Sequence, residues 1–170
     1  MRHIPSYTLA ILAAVIYVGV QRCYPRTVRA ERMIVFPLLL VLFGANSLHT
    51  LFPYSAPEYT AAAVLAGATG TLLGWMHAAH WEVQFDTATR RVRVPGDPSL
   101  LGILLVTSSS HFVIHYAIES HQPWATSGVF ELLSFGAWGL LAGMPLGRSA
   151  NVVFRVFRME SERRSTPTLG

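Results

Sequence analysis

Residues Thr60–His80 read TAAAVLAGATGTLLGWMHAAH, a stretch without a single Asp, Glu, Lys or Arg. A helix needs about 20 mainly apolar residues to cross the hydrocarbon layer of a bilayer. Lipid offers the backbone no hydrogen-bonding partner, so such a stretch is expected to cross as a helix. Within it Ala62, Ala66, Gly70, Gly74 and Ala78 recur every four residues. Small side chains at that spacing let two helix backbones approach closely, which matters where no hydrophobic effect drives association.

Four more segments of this kind flank it. They run from Ile4 to Val20, Met33 to Phe52, Leu100 to Ser120 and Gly128 to Gly147. The last repeats the small-residue spacing at Gly139, Gly143 and Gly147. Packing between the third and fifth spans is the expected use of the two stripes; homodimerisation through one of them is the alternative. Pro145 is a candidate kink near the inner end of the fifth span. The expected fold is an all-α membrane protein, a bundle of five transmembrane helices, with residues 1–160 as one domain. Composition agrees: of 170 residues 52% are hydrophobic and only 13% charged, against about a quarter charged in soluble domains.

All thirteen basic residues are arginine, and their placement orients the bundle. Arg22, Arg26, Arg29 and Arg32 follow the first span; Arg90, Arg91 and Arg93 follow the third; Arg148, Arg155, Arg158, Arg163 and Arg164 follow the fifth. With five spans these twelve share one side and only Arg2 lies opposite. Arginine is retained in the cytoplasm, so the N-terminus is expected outside and the C-terminus inside. The clusters read as topogenic or lipid-headgroup residues beside anionic lipid, which accounts for the net charge of +4 without nucleic acid as a partner. The first segment lacks a small-residue cleavage site and is expected to remain as a mature helix. Cys23 is the sole cysteine, so no internal disulfide forms.

Between the third and fourth spans, Val83 and Phe85 alternate with Glu82 and Gln84, and Val92 and Val94 with Arg91 and Arg93. Alternation of period two on either side of a polar turn predicts a short cytoplasmic β-hairpin, ended by Pro95 and Gly96. Its valine face is expected to rest on the membrane surface or the bundle. Residues 148–160 form an amphipathic cytoplasmic tail, extending the fifth helix or lying along the inner leaflet. Residues 161–170 are polar and expected to be disordered.

The fourth span carries the candidate site. Thr107, His111, His115 and Glu119 succeed one another at intervals of four, along one helix face. Ionisable residues inside a membrane are costly and mark functional sites by default. His49 and Asn46 of the second span and Glu131 of the fifth fall at comparable depth. Three chemistries fit: axial haem ligation by His49 with His111 or His115, a transition-metal site of imidazole and carboxylate, and a proton relay supported by Asn46, Thr107, Glu119 and Glu131. The plainer alternative is a hydrogen-bonded seam that fixes helix packing. His77 and His80, beside Trp75 and Trp81, read as interfacial residues. No phosphate-binding loop, zinc-protease signature or nucleophile elbow is present.

The arginine loop Tyr24–Arg29, the glycine stripe of the third span and the hairpin ending Val94-Pro95-Gly96 cover about half of the chain. In these features the chain resembles small bacterial inner-membrane proteins of unknown function, distantly similar to the CcdC type linked by name to cytochrome c biogenesis. The resemblance implies a bacterial inner membrane and a helical bundle; it implies no catalytic residue. The expectation is a non-enzymatic accessory or assembly component of a membrane system, with the lipid bilayer and another membrane protein as partners. A haem- or metal-binding protein and a small proton-coupled transporter or channel are the alternatives.

Overall fold

The computed structural model describes residues 23–86 and 91–165, with Ala13, Ile16, Tyr17, Gly19, Val20 and Gln21. The first expected span therefore lies mostly outside the described residues, as do Arg22, Arg90, the turn at 87–90 and the tail at 166–170. In chain order the elements are β1 (Arg26–Arg29), α1 (Ala30–Met33), α2 (Val35–Leu51), α3 (Pro57–Ala79), β2 (Gln84–Asp86), β3 (Arg91–Val94), α4 (Pro98–Glu119), a 3-10 turn (Pro123–Thr126) and α5 (Gly128–Ser165).

The chain is mostly helical. Among the described residues three helices, α3, α4 and α5, are long and apolar enough to cross a membrane. The second expected span is shorter, with 17 residues in α2, or about 25 Å at 1.5 Å per residue. Its expected start at Met33 is corrected to Val35, and Pro37 is the reason. Proline has no N–H for the carbonyl four residues back, and its ring clashes with that carbonyl. Here that carbonyl belongs to Met33, where α1 stops. The helix resumes when Leu38 N–H donates to the Ile34 carbonyl at 3.1 Å. Pro57 and Pro98 open α3 and α4 at their first turns, where a missing N–H costs nothing. Both helices start a little before their apolar runs.

α3 and α5 pack backbone to backbone. A Cβ added at Gly139 would collide with the Ala63 carbonyl, one at Gly143 with that of Gly67, and one at Gly147 with that of Thr71. Gly70 and Gly74 are pressed in return against the carbonyls of Leu140 and Met144. Partner numbers rise together along both helices, so α3 and α5 run parallel. The two glycine stripes are thus spent on each other, as the spacing predicts for internal packing.

The loop after α3 is more than a hairpin. β2 and β3 pair antiparallel, with Phe85 opposite Val92, and β1 adds on the other side, with Val28 opposite Val92 and Arg26 opposite Val94. The order is β1-β3-β2. One face of this sheet buries Val92 and Val94 against Met33, Val152 and Val156, which settles the hairpin on the bundle. The expected tail is one helix with the fifth span: α5 has 38 residues, passes through Pro145 and ends at Ser165. At about 57 Å it is nearly twice the ~30 Å hydrocarbon thickness, and its extension carries the sheet. Residues 161–165, expected to be disordered, are its last turn.

At the opposite end an aromatic cluster closes the bundle. Phe52 meets Phe130 and Phe135, Tyr59 meets Phe135, and Trp124 stands edge-on to Phe130 with ring centroids 5.0 Å apart.

Candidate functional site

The histidine line of α4 is joined to α2 by one hydrogen bond, between His111 Nε2 and Ser47 Oγ at 2.8 Å. One turn on, the rings of His111 and His115 lie 4.5 Å apart at 44°. One turn further, His115 Nδ1 is 3.9 Å from Glu119 Oε1. Ser47, His111, His115 and Glu119 therefore form a graded polar row from mid-helix to the end of α4. Thr107 does not extend it, because its hydroxyl donates back to the Ile103 carbonyl at 2.7 Å.

His49 is not part of this row. Ser47 and His49 are two positions apart, about 200° around a helix, so when Ser47 faces α4, His49 faces away. It lines a cleft of about 270 Å³ between α2, α3 and α5, with Thr60, Gly67, Trp138 and Gly143. The structure does not bring His49 together with His111 or His115. Asn46 is exposed beside Ser47. Glu131 sits in the first turn of α5, its Oε1 enclosed without a hydrogen-bond partner among the described residues. Among the described residues no three His, Cys, Asp or Glu side chains converge as a metal site would require.

A second polar centre lies at the sheet end, around Asp97. Its carboxylate caps α4, accepting from Ser99 N–H at 3.0 Å and from the Ser99 hydroxyl, the arrangement an N-cap aspartate provides. Its other oxygen accepts from Arg148 Nη1 at 2.5 Å. Asp97 and Arg148 are 9% and 6% exposed. His77 Nε2 approaches Asp97 Oδ1 to 4.0 Å. Arg26, opposite Val94 on the inward face of the sheet, lies within the electrostatic reach of Asp97; burial pushes its guanidinium below the ordinary arginine range and Asp97 partly restores it. Arg26 is thus half-buried, on the covered side of the sheet. Nearby, Arg155 Nη1 donates to the Trp81 carbonyl at 2.9 Å and Asn151 Nδ2 to that of Trp75 at 3.3 Å, serving the C-terminal end of α3.

His77 and His80 part company. His77 stands edge-on to Trp81, whereas His80 Nδ1–H donates to the Met76 carbonyl at 2.9 Å. The sequence reading missed Ser47, Asp97 and Arg148 as site residues. Asp97 had a local signal, an aspartate directly before Pro98 at a helix start; so did Arg148, a charge between the apolar runs of α5. Their pairing had none.

No protein-family model matches the chain, and neither does any curated protein or solved structure.

Proposed function

We propose that the chain is a non-enzymatic component of the bacterial inner membrane that assembles with another membrane protein, using α4 as the docking helix. In this reading five helices cross the bilayer, with the N-terminus outside and the sheet and arginines in the cytoplasm. One observation carries it: His111 and Glu119 are exposed on a helix of spanning length. His111 spends one ring nitrogen on Ser47; hydrocarbon satisfies neither its other nitrogen nor the Glu119 carboxylate, and polar side chains in spans turn toward protein or water. Phe112, Val113 and Tyr116 are exposed around them, a mixed apolar and hydrogen-bonding surface suited to another helix. The glycine stripes of α3 and α5 are already filled by each other.

Photo-crosslinking in native membranes tests this. A reactive side chain at Phe112 or Tyr116 should give one discrete protein adduct, lost in His111→Ala, while one at Leu65 on α3 gives none. Equal labelling at all three positions, or lipid adducts alone, overturns the reading, as does substrate turnover by the purified chain.

The row Ser47–His111–His115–Glu119 favours a second reading, a proton path in a small transporter. Imidazoles pass protons between their two nitrogens at physiological pH. A pH-dependent flux in proteoliposomes, abolished by His115→Ala, would support it; flux unchanged by that substitution would exclude this route.

A further inference from the structure

We infer that the outward face of the β1-β3-β2 sheet is a phosphate clamp for anionic headgroups of the adjoining lipid leaflet. The inference rests on the cytoplasmic placement of the sheet, but not on docking through α4.

In an antiparallel ladder, residues directly opposite each other project to the same side, and side chains alternate along each strand. Val28, Val92, Val94 and Arg26 take the inward side. The outward side carries Thr27, Arg29, Gln84, Asp86, Arg91 and Arg93, all exposed. Arg29 is directly opposite Arg91, and Arg93 follows two positions along. Asp86, opposite Arg91, is the one carboxylate within the three strands on this side, and exposed Glu82 lies two positions before Gln84. Three guanidiniums against these two carboxylates leave an excess of positive charge on this side of the sheet. Arg32, in α1 directly after β1, is exposed too.

Like charges directly opposite on a sheet are destabilising by themselves. An anion held between Arg29 and Arg91 converts that repulsion into two charge-assisted contacts, and the forked guanidinium matches phosphate oxygens two at a time. The tether selects the source of the phosphate. Arg93 is only five positions before Pro98, where α4 begins, so the arginine lies within about 18 Å of that helix even fully extended. Gly96 holds the connection close to the end of the first span, since a Cβ there would collide with the Cys23 carbonyl. A patch fixed this near a bilayer meets headgroups at far higher local concentration than it meets soluble anions.

The test is native mass spectrometry of the full chain released from neutral detergent, offered equal amounts of phosphatidylglycerol and phosphatidylcholine with matched chains. The wild type should retain phosphatidylglycerol preferentially. At about fivefold per arginine near a lipid surface, the combined R29Q, R91Q and R93Q variant should lose on the order of a hundredfold of that preference. R158Q, which removes an exposed arginine paired with Glu162 on α5, should keep it. Should the triple variant not fold, R29Q alone should lose about fivefold. R29K, R91K and R93K together keep the charge and should retain an intermediate preference, reflecting the lost fork. Three results overturn the inference: no lipid preference in the wild type, an equal loss in R158Q, or complete displacement of lipid by millimolar inorganic phosphate, which would make a soluble anion the occupant. The measurement has no sidedness, so its failure is separable from a failure of the α4 crosslinks.

Discussion

Arg148 of α5 donates from Nη1 to Oδ2 of Asp97, the residue that caps α4, across 51 positions of sequence. The first turn of α4 is thereby tied to α5 where α5 leaves the apolar region. Removing one partner of a buried pair strands the other charge, which costs about 3–5 kcal/mol. Arg148→Met should lower the stability of the purified protein by that amount in a detergent unfolding titration. Arg26→Met should cost far less, because burial already disfavours the Arg26 charge. The sign is that of a basic group with a depressed pKa: its charge opposes folding and the penalty lifts only on deprotonation. Arginine stays protonated across the working range, so Arg26→Met should leave the pH dependence of unfolding unchanged.

The glycines of α5 are not equivalent. Gly143 has no room for a methyl group against the Gly67 carbonyl, whereas nothing lies near a Cβ placed on Gly136. Gly143→Ala should destabilise by about 1–3 kcal/mol through overpacking. Gly136→Ala, in the same helix, should stabilise by about 0.8–1 kcal/mol through helix propensity. Thermal melts of both variants, side by side, decide it; equal effects would show that α3 and α5 are not in backbone contact.

His121 has φ of 50°, a left-handed conformation that L-residues other than Gly, Asn and Asp rarely adopt. It follows the C-cap of α4, the position where glycine usually ends a helix. Its Nδ1–H donates to the Glu119 carbonyl at 3.1 Å, which offsets part of the strain. His121→Gly should therefore be neutral to stabilising by roughly 1 kcal/mol, as a melting shift. A clear loss of stability would assign His121 a contact beyond its own turn.

Topology has a direct measurement. A reporter inserted after Ser127 should be active outside the cytoplasm, and one fused after Gly170 active within it. The parallel course of α3 and α5 requires their N-terminal ends to share one face of the bundle. Both reporters in the same compartment would break the five-pass reading.

Much of this architecture was legible because long apolar runs without charges leave few choices besides a helix of spanning length. Apolar runs located α3, α4 and α5, and the four-residue spacing of Gly139, Gly143 and Gly147 pointed to the close packing of α5 on α3. The start of α2 was misjudged because hydropathy does not register the missing N–H of Pro37. β1 was hidden for another reason: Arg26–Arg29 holds one apolar residue, and its partners lie more than sixty residues downstream. Pairing at that distance leaves no local periodicity. The row on α4 was readable from intervals of four, but which neighbour meets it depended on helix rotation. Ser47 faces it and His49 does not.

The parallel packing of α3 on α5 has a bearing on how the chain is made. α3 is complete at Ala79, but the glycines that seat it arrive only with Gly147. At a synthesis rate of roughly 5–20 residues per second, the interval is about 3–14 s. During it the carbonyl-lined flank of α3 waits without its mate. A chain halted before the last helix should be prone to rapid proteolysis, making the final segment the step that commits the molecule to survival.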